Sequence, residues 1–160
     1  MALTRLSDVL WRERTLLELL LFKLEEEQLV LTSGRTRWLT RATKEVEVVL
    51  GEIRRTELAR AVEVDTAAAA FGLGPNPSLN KLADACPEPW SGLLREHRKA
   101  FLTLTAEITQ LADLSRELLA SGQQATRETL LSLTGESQTY TPHGSTSSSV
   151  PRARLMDEVL

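Results

Sequence analysis

Leucines at alternating steps of three and four open the chain: Leu3, Leu6, Leu10, Leu17, Leu20, Leu24 and Leu31, with Glu13 and Glu27 standing in the gaps. That spacing lines the side chains along one side of a helix. It predicts a helix over about Leu3 to Leu31 with a coiled-coil-like seam and two polar interruptions. Leu16, Leu19, Leu21 and Phe22 widen the apolar surface, so more than one neighbour is expected. Thr32-Ser33-Gly34 breaks the pattern. Gly34 suits the left-handed turn that ends a helix, and Ser33 or Thr36 suits the cap of the next.

A second helix is predicted from about Arg35 to Ala70. Leu39, Ala42, Val46, Val49, Leu50, Ile53, Ala61, Val64 and Ala68 form its apolar face, opposite Arg41, Lys44, Glu45, Glu52, Arg55 and Glu63. The short connection makes the two helices antiparallel neighbours. Gly51 sits inside this helix at a cost of roughly 1 kcal/mol. It reads equally as a tolerated imperfection or as a close helix contact. The stretch at 71–77, with Gly72, Gly74, Pro75 and Pro77, stops the helix. Ser78 can cap a short helix that folds Leu79 and Leu82 inward, and Pro87 and Pro89 end it.

A third long helix starts near Trp90 or Ser91 and runs to about Ser121. Its seam is Leu94, His97, Phe101, Leu104, Ile108, Leu111, Ser115 and Leu118, flanked by Leu93, Leu102 and Leu114. Gly122 is expected to interrupt or bend it, and residues 123–133 to continue it or form a separate short helix. The expected fold is all-α: an elongated antiparallel bundle of three long helices with short auxiliary helices and a flexible C-terminal tail. Residues 1–134 form the bundle and residues 135–160 the tail. In the tail, a turn around Tyr140 and a Ser/Thr-rich spacer precede a stretch that Pro151 can open as a short helix.

At 160 residues the chain supports one domain. Aromatic residues make up only 4 %, which suits leucine-filled helix seams. The net charge of -3, from 19 basic and 22 acidic side chains mixed along the chain, argues against a nucleic-acid partner. The N-terminus lacks the pattern of a signal peptide. The apolar run at 16–22, interrupted by Glu18, is far too short to span a membrane. With Cys86 as the single cysteine, the expectation is a cytoplasmic protein without membrane insertion.

Catalytic material is sparse. His97, His143 and Cys86 have no metal-ligand spacing, and GLGP lacks the lysine of a phosphate loop. No enzyme, metal or cofactor is expected, and His97 reads as a satisfied interfacial or surface histidine. Glu25 and Glu26 read as solvated. Glu27 is a candidate partner of Arg37 across the first hairpin, and Glu13 shares that ambiguity. Trp11, Trp38 and Trp90 read as end-packing residues or as anchors for a protein ligand. The remaining functional material is apolar surface, with Leu104, Leu111, Leu118, Leu130, Leu131 and Leu133 as candidates for an amphipathic partner helix.

The helix-one pattern, with Leu24-Glu25-Glu26-Glu27-Gln28-Leu29 leading to Ser33-Gly34-Arg35, and then Glu52-Ile53-Arg54-Arg55-Thr56-Glu57-Leu58, resembles the FlgN-like family of flagellar export chaperones. The resemblance covers roughly residues 3–134. It implies a cytoplasmic protein that binds helical C-terminal regions of hook–filament junction (hook-associated) proteins. It also implies that such clients stay soluble and competent for the type III export apparatus. Carried to this chain, the implied client surface lies near Leu118, Leu130, Leu131, Leu133 and Tyr140, and then the Val150, Leu155, Met156, Val159 and Leu160 cluster. A non-catalytic helical adaptor and a self-assembling coiled-coil structural protein are the alternatives.

Overall fold

The protein is described by a computed structural model over residues 1–134, with side chains to Leu133. The expectations for the tail, including those on Tyr140, Val150, Leu155, Met156, Val159 and Leu160, lie outside the described residues. Helix α1 spans Ala2–Ser33, α2 Leu39–Ala70, α3 Leu79–Ala85 and α4 Trp90–Thr134. A single 3-10 turn, Thr36–Trp38, joins α1 to α2. No strand occurs among the described residues.

The leucine seam of α1 is its buried row. Leu6, Leu10, Leu17, Leu20 and Leu24 are all but sealed from solvent, with Glu13 buried among them and Glu27 buried one step beyond Leu24. Gly34 ends the helix in the left-handed conformation at φ 71°, and its N–H donates to the Leu31 carbonyl. Helix α2 starts later than the sequence suggests, because the 3-10 turn takes up the first residues after Gly34. Neither Ser33 nor Thr36 caps it: Ser33 Oγ instead accepts from the Arg35 N–H. Cross-helix ion pairs Lys23–Glu45 at 2.9 Å and Arg5–Glu63 at 3.2 Å record the antiparallel pairing, centred on Gly34.

The buried row of α2 runs Ala42, Val46, Val49, Ile53, Thr56, Arg60, Val64 and Ala67–Ala68. Ala61, expected on this face, is exposed, and Arg60 holds the seam position instead. Spacing overrides residue type there, because three-four steps from Ile53 pass through 56 and 60. Gly51 is the tolerated imperfection and not a close contact: a methyl group built on it meets nothing within 4 Å. Gly51→Ala is therefore expected to stabilise the fold by about 0.5–1 kcal/mol in urea unfolding.

Helix α2 stops in a Schellman arrangement. The Leu73 N–H donates to the Ala68 carbonyl at 2.9 Å and the Gly72 N–H to the Ala69 carbonyl at 3.3 Å, with Gly72 at φ 68°. Asp65 Oδ1 accepts from the Asn76 N–H at 2.6 Å and ties the loop back onto α2. Ser78 caps α3 as its sequence predicts, accepting from the Lys81 N–H. Leu79, Leu82 and Ala83 turn inward, and Arg95 pairs with Asp84 at 2.6 Å to fasten α3 to α4. A carboxylate oxygen of Glu88 accepts from the Gly92 N–H at the start of α4, where the helix dipole favours negative charge.

Helix α4 is one uninterrupted helix of 45 residues. Gly122 does not break it. Its backbone N–H remains able to continue the ladder, and a lone glycine costs only about 1 kcal/mol where a proline costs about 3. The helix runs parallel to α1: Trp11 meets His97, Arg14 and Glu18 face the segment from Glu96 to Leu104, and Leu21 and Glu25 face Glu107 to Leu114. Helix α1 packs along both other long helices, while α2 and α4 scarcely meet.

Candidate functional site

At mid-bundle the seam becomes polar. Arg60 Nη1 lies 3.0 Å from Glu13 Oε2, with both side chains almost fully buried. The approach is a charge contact and not an aligned hydrogen bond, since Oε2 has no donor aimed at it. Burial pushes the Glu13 carboxyl up to about 7; Arg60 opposes that shift and Glu57 adds to it. The Arg60 guanidinium also lies 5.8 Å from the Phe101 ring centre.

His97 is fully buried in the same layer. The Trp11 ring stands edge-on to it at 4.8 Å, and Phe101 stacks at 6.1 Å. It is interfacial as expected, yet neither ring nitrogen has a hydrogen-bond partner, so it is not satisfied. Burial lowers its pKa; the nearby Arg14 charge lowers it further, and Glu96 opposes. The Glu13–Arg60 pair and His97 are buried inside the bundle. The expected Glu27–Arg37 pair is absent among the described residues, and Arg37 lies over the Trp38 ring at 4.7 Å. Cys86 is buried, and burial raises its thiol pKa, which suppresses the reactive thiolate. No three potential metal donors converge among the described residues.

The apolar candidates divide into two sets. Leu104 and Leu111 are half-buried against the core, and Leu118 continues their line at steps of seven. Leu104 and Leu111, with Leu21 and Leu114, line shallow grooves between α1 and α4 of about 420 and 220 Å³. Past the level where α1 ends, every residue of α4 from Leu119 to Leu133 is exposed. This projecting part is about 20 Å long. Leu119, Gly122, Thr126, Leu130 and Leu133 share one side of it at helical spacing, whereas Leu131 points the other way. Leu130 is 57 % exposed and Leu133 78 %. The structure thus places the six helical candidates on one helix but not on one face. Leu119, missed in the sequence, completes the outer stripe, and its place in that three-four series was the signal for it.

The fold defines a helical scaffold whose last long helix runs exposed beyond its neighbours. A family model described as FlgN protein matches residues 1–148, and the chain belongs to the FlgN family, a family of flagellar export chaperones that is generally non-enzymatic. Membership ties the chain to flagellum biogenesis and protein export, through binding of flagellar proteins. No curated protein and no solved structure matched the chain. Among the described residues no helix is long and apolar enough to cross a membrane.

Proposed function

We propose that the chain is a non-enzymatic cytoplasmic chaperone for hook-associated proteins at the hook–filament junction. It binds the helical C-terminal regions of these clients, which would otherwise self-associate, and keeps them soluble until the export apparatus takes them. The observation that carries this reading is the part of α4 that runs exposed beyond α1, from Leu119 to Leu133. An amphipathic client helix fits such a face through anchors at three-four spacing. Leu104, Leu111 and Leu118 lead from the α1–α4 grooves towards it, with Leu130, Leu131 and Leu133 on the projecting part.

Residues 135–160 act as a separate gripping tail, in which Tyr140, Val150, Leu155, Met156, Val159 and Leu160 contact the client. Ordering that tail on binding costs conformational entropy and keeps the complex releasable. No nucleotide, metal, nucleic acid or membrane insertion enters this cycle.

Removal of residues 135–160 tests the reading. Thermal melting should be unchanged, while calorimetry against a hook-associated protein's C-terminal region should show affinity reduced about tenfold, the equivalent of ~1.4 kcal/mol. Unchanged affinity would remove the tail from the client site. Absence of binding by the full chain would remove the client assignment itself.

A further inference from the structure

The outward face of α2 carries a second helical row. Its buried row, with Ile53, Thr56, Arg60, Val64 and Ala67, faces the bundle. On the opposite side Gly51, Arg55, Leu58, Val62, Asp65 and Ala69 recur at steps of four, three, four, three and four. That spacing holds them in a stripe about 80° wide and about 27 Å long. The five residues after Gly51 are all exposed, Leu58 at 72 % and Val62 at 63 %. A methyl group built on Gly51 meets nothing within 4 Å, so space is open over the first position as well. Helix α2 packs on α1 from its other side, and no described element covers this row.

The row is symmetric about position 60. Gly51 mirrors Ala69, Arg55 mirrors Asp65, and Leu58 mirrors Val62. We propose that this row is the contact face of a two-fold dimer, in which α2 pairs antiparallel with α2 of a second copy. A two-fold contact sets each residue of such a row against its mirror in the other chain. Six layers result: two of Leu58 on Val62, two of Arg55 on Asp65, and two of Gly51 on Ala69. The apolar layers are central, the ion pairs flank them, and small residues close both ends. Alternating steps of three and four give each residue an a or d place in a heptad, and antiparallel helices set a against d, as every one of these layers does. Ala59 and Ala61 flank the central layers, and such short side chains let the helix axes approach to about 8 Å.

Charge selects this pairing over its neighbours. A parallel dimer would stack Arg55 on Arg55 and Asp65 on Asp65, which like-charge repulsion opposes. An antiparallel dimer slid by one heptad sets Arg55 on Leu58 in one direction and Asp65 on Val62 in the other, and leaves the charges unpaired. Within its own chain Arg55 contacts Glu52, an exposed neighbour one turn back, and such a pair holds it weakly. Asp65 accepts the Asn76 N–H through Oδ1 and has no cation partner among the described residues. Both charges are thus available to a second copy. The row lies on the far side of α2 from α1, so the pairing stands whether or not the client reading does. A seam of under three heptads is small, and it supports a moderate, reversible dimer.

Sedimentation equilibrium of the full chain should give a monomer–dimer curve with a Kd on the order of 10–100 µM. Arg55→Asp alone and Asp65→Arg alone should each weaken association about tenfold or more, because like charges then meet in both charged layers. An equal mixture of the two variants should recover the parent's association, since each chain then supplies one sign to the other. That recovery requires residue 55 to meet residue 65. Leu58→Asp with Val62→Asp should leave a monomer that melts where the parent does in dilute solution, which separates lost pairing from lost folding. A parent chain that stays monomeric into the millimolar range overturns the dimer. So does a mixture that fails to associate although both variants melt as the parent does. A dimer that survives Leu58→Asp with Val62→Asp but not Leu130→Asp with Leu133→Asp puts the contact on α4 and overturns the assignment to α2.

Discussion

Arg60→Ala is expected to destabilise the bundle by about 3–5 kcal/mol at pH 8, because it strands a buried carboxylate without its countercharge. Urea unfolding reads this directly. The loss should shrink at pH 6, where Glu13 can keep its proton and escape the penalty. Replacing both partners by aliphatic residues of similar volume, Glu13→Leu with Arg60→Met, should be close to neutral or stabilising. A single variant that costs no more than the double variant would mean that the pair is not buried as described.

The same residue gives the fold a pH slope of known sign. Glu13 titrates near 7 in the folded chain and at its ordinary 4.5 when unfolded. Between those values the folded state binds the extra proton, so this contribution is complete below 4.5 and is lost as pH rises through 7. It amounts to about 3 kcal/mol. His97 acts in the opposite sense. Its folded pKa lies below the ordinary value, so its contribution is present at neutral pH and falls away as the solution becomes acidic. Glu13→Gln should flatten the alkaline side of the profile and leave the acidic fall.

Leu119→Asp, Leu130→Asp and Leu133→Asp together should abolish client binding, at about 30-fold or more for each anchor that contributes the ~2 kcal/mol of a hot spot. The melting temperature should hold, since all three side chains are exposed. Leu131→Asp, on the other side of the helix, reports whether the client wraps around α4. If the triple variant binds a hook-associated C-terminal region normally, the projecting stripe is not the client face.

Much of the fold was legible because leucine spacing and helix stops are local. The seam of α1, the Gly34 turn, the Ser78 cap and the stop at Gly72 all follow from residues within a few positions of one another. What failed was judgement by residue type. The apolar face read from residue type includes Ala61, whereas the three-four steps run through Arg60. Folding the chain back on Gly34 sets residue 13 near residue 55, where Arg54 and Arg55 also stand, and only the seam spacing singles out Arg60 as the partner of Glu13. Gly122 misled in the other direction, since an exposed helix tolerates a glycine that a turn would favour. The length of α4 beyond α1 could not be read locally, because it depends on the register between two helices separated by the whole of α2.

The position of α1 between the other two long helices has a consequence for how the molecule is made. Both seams between long helices include α1, which leaves the ribosome before α2 and α4, and the α1–α2 contacts can begin to form before α4 is made. Helix α4 has no such independence, since α3 and α1 are the surfaces it packs on. Synthesis therefore delivers the pieces in the order in which they can be used. Of the three long helices, the one that emerges last is also the one that assembly leaves most exposed.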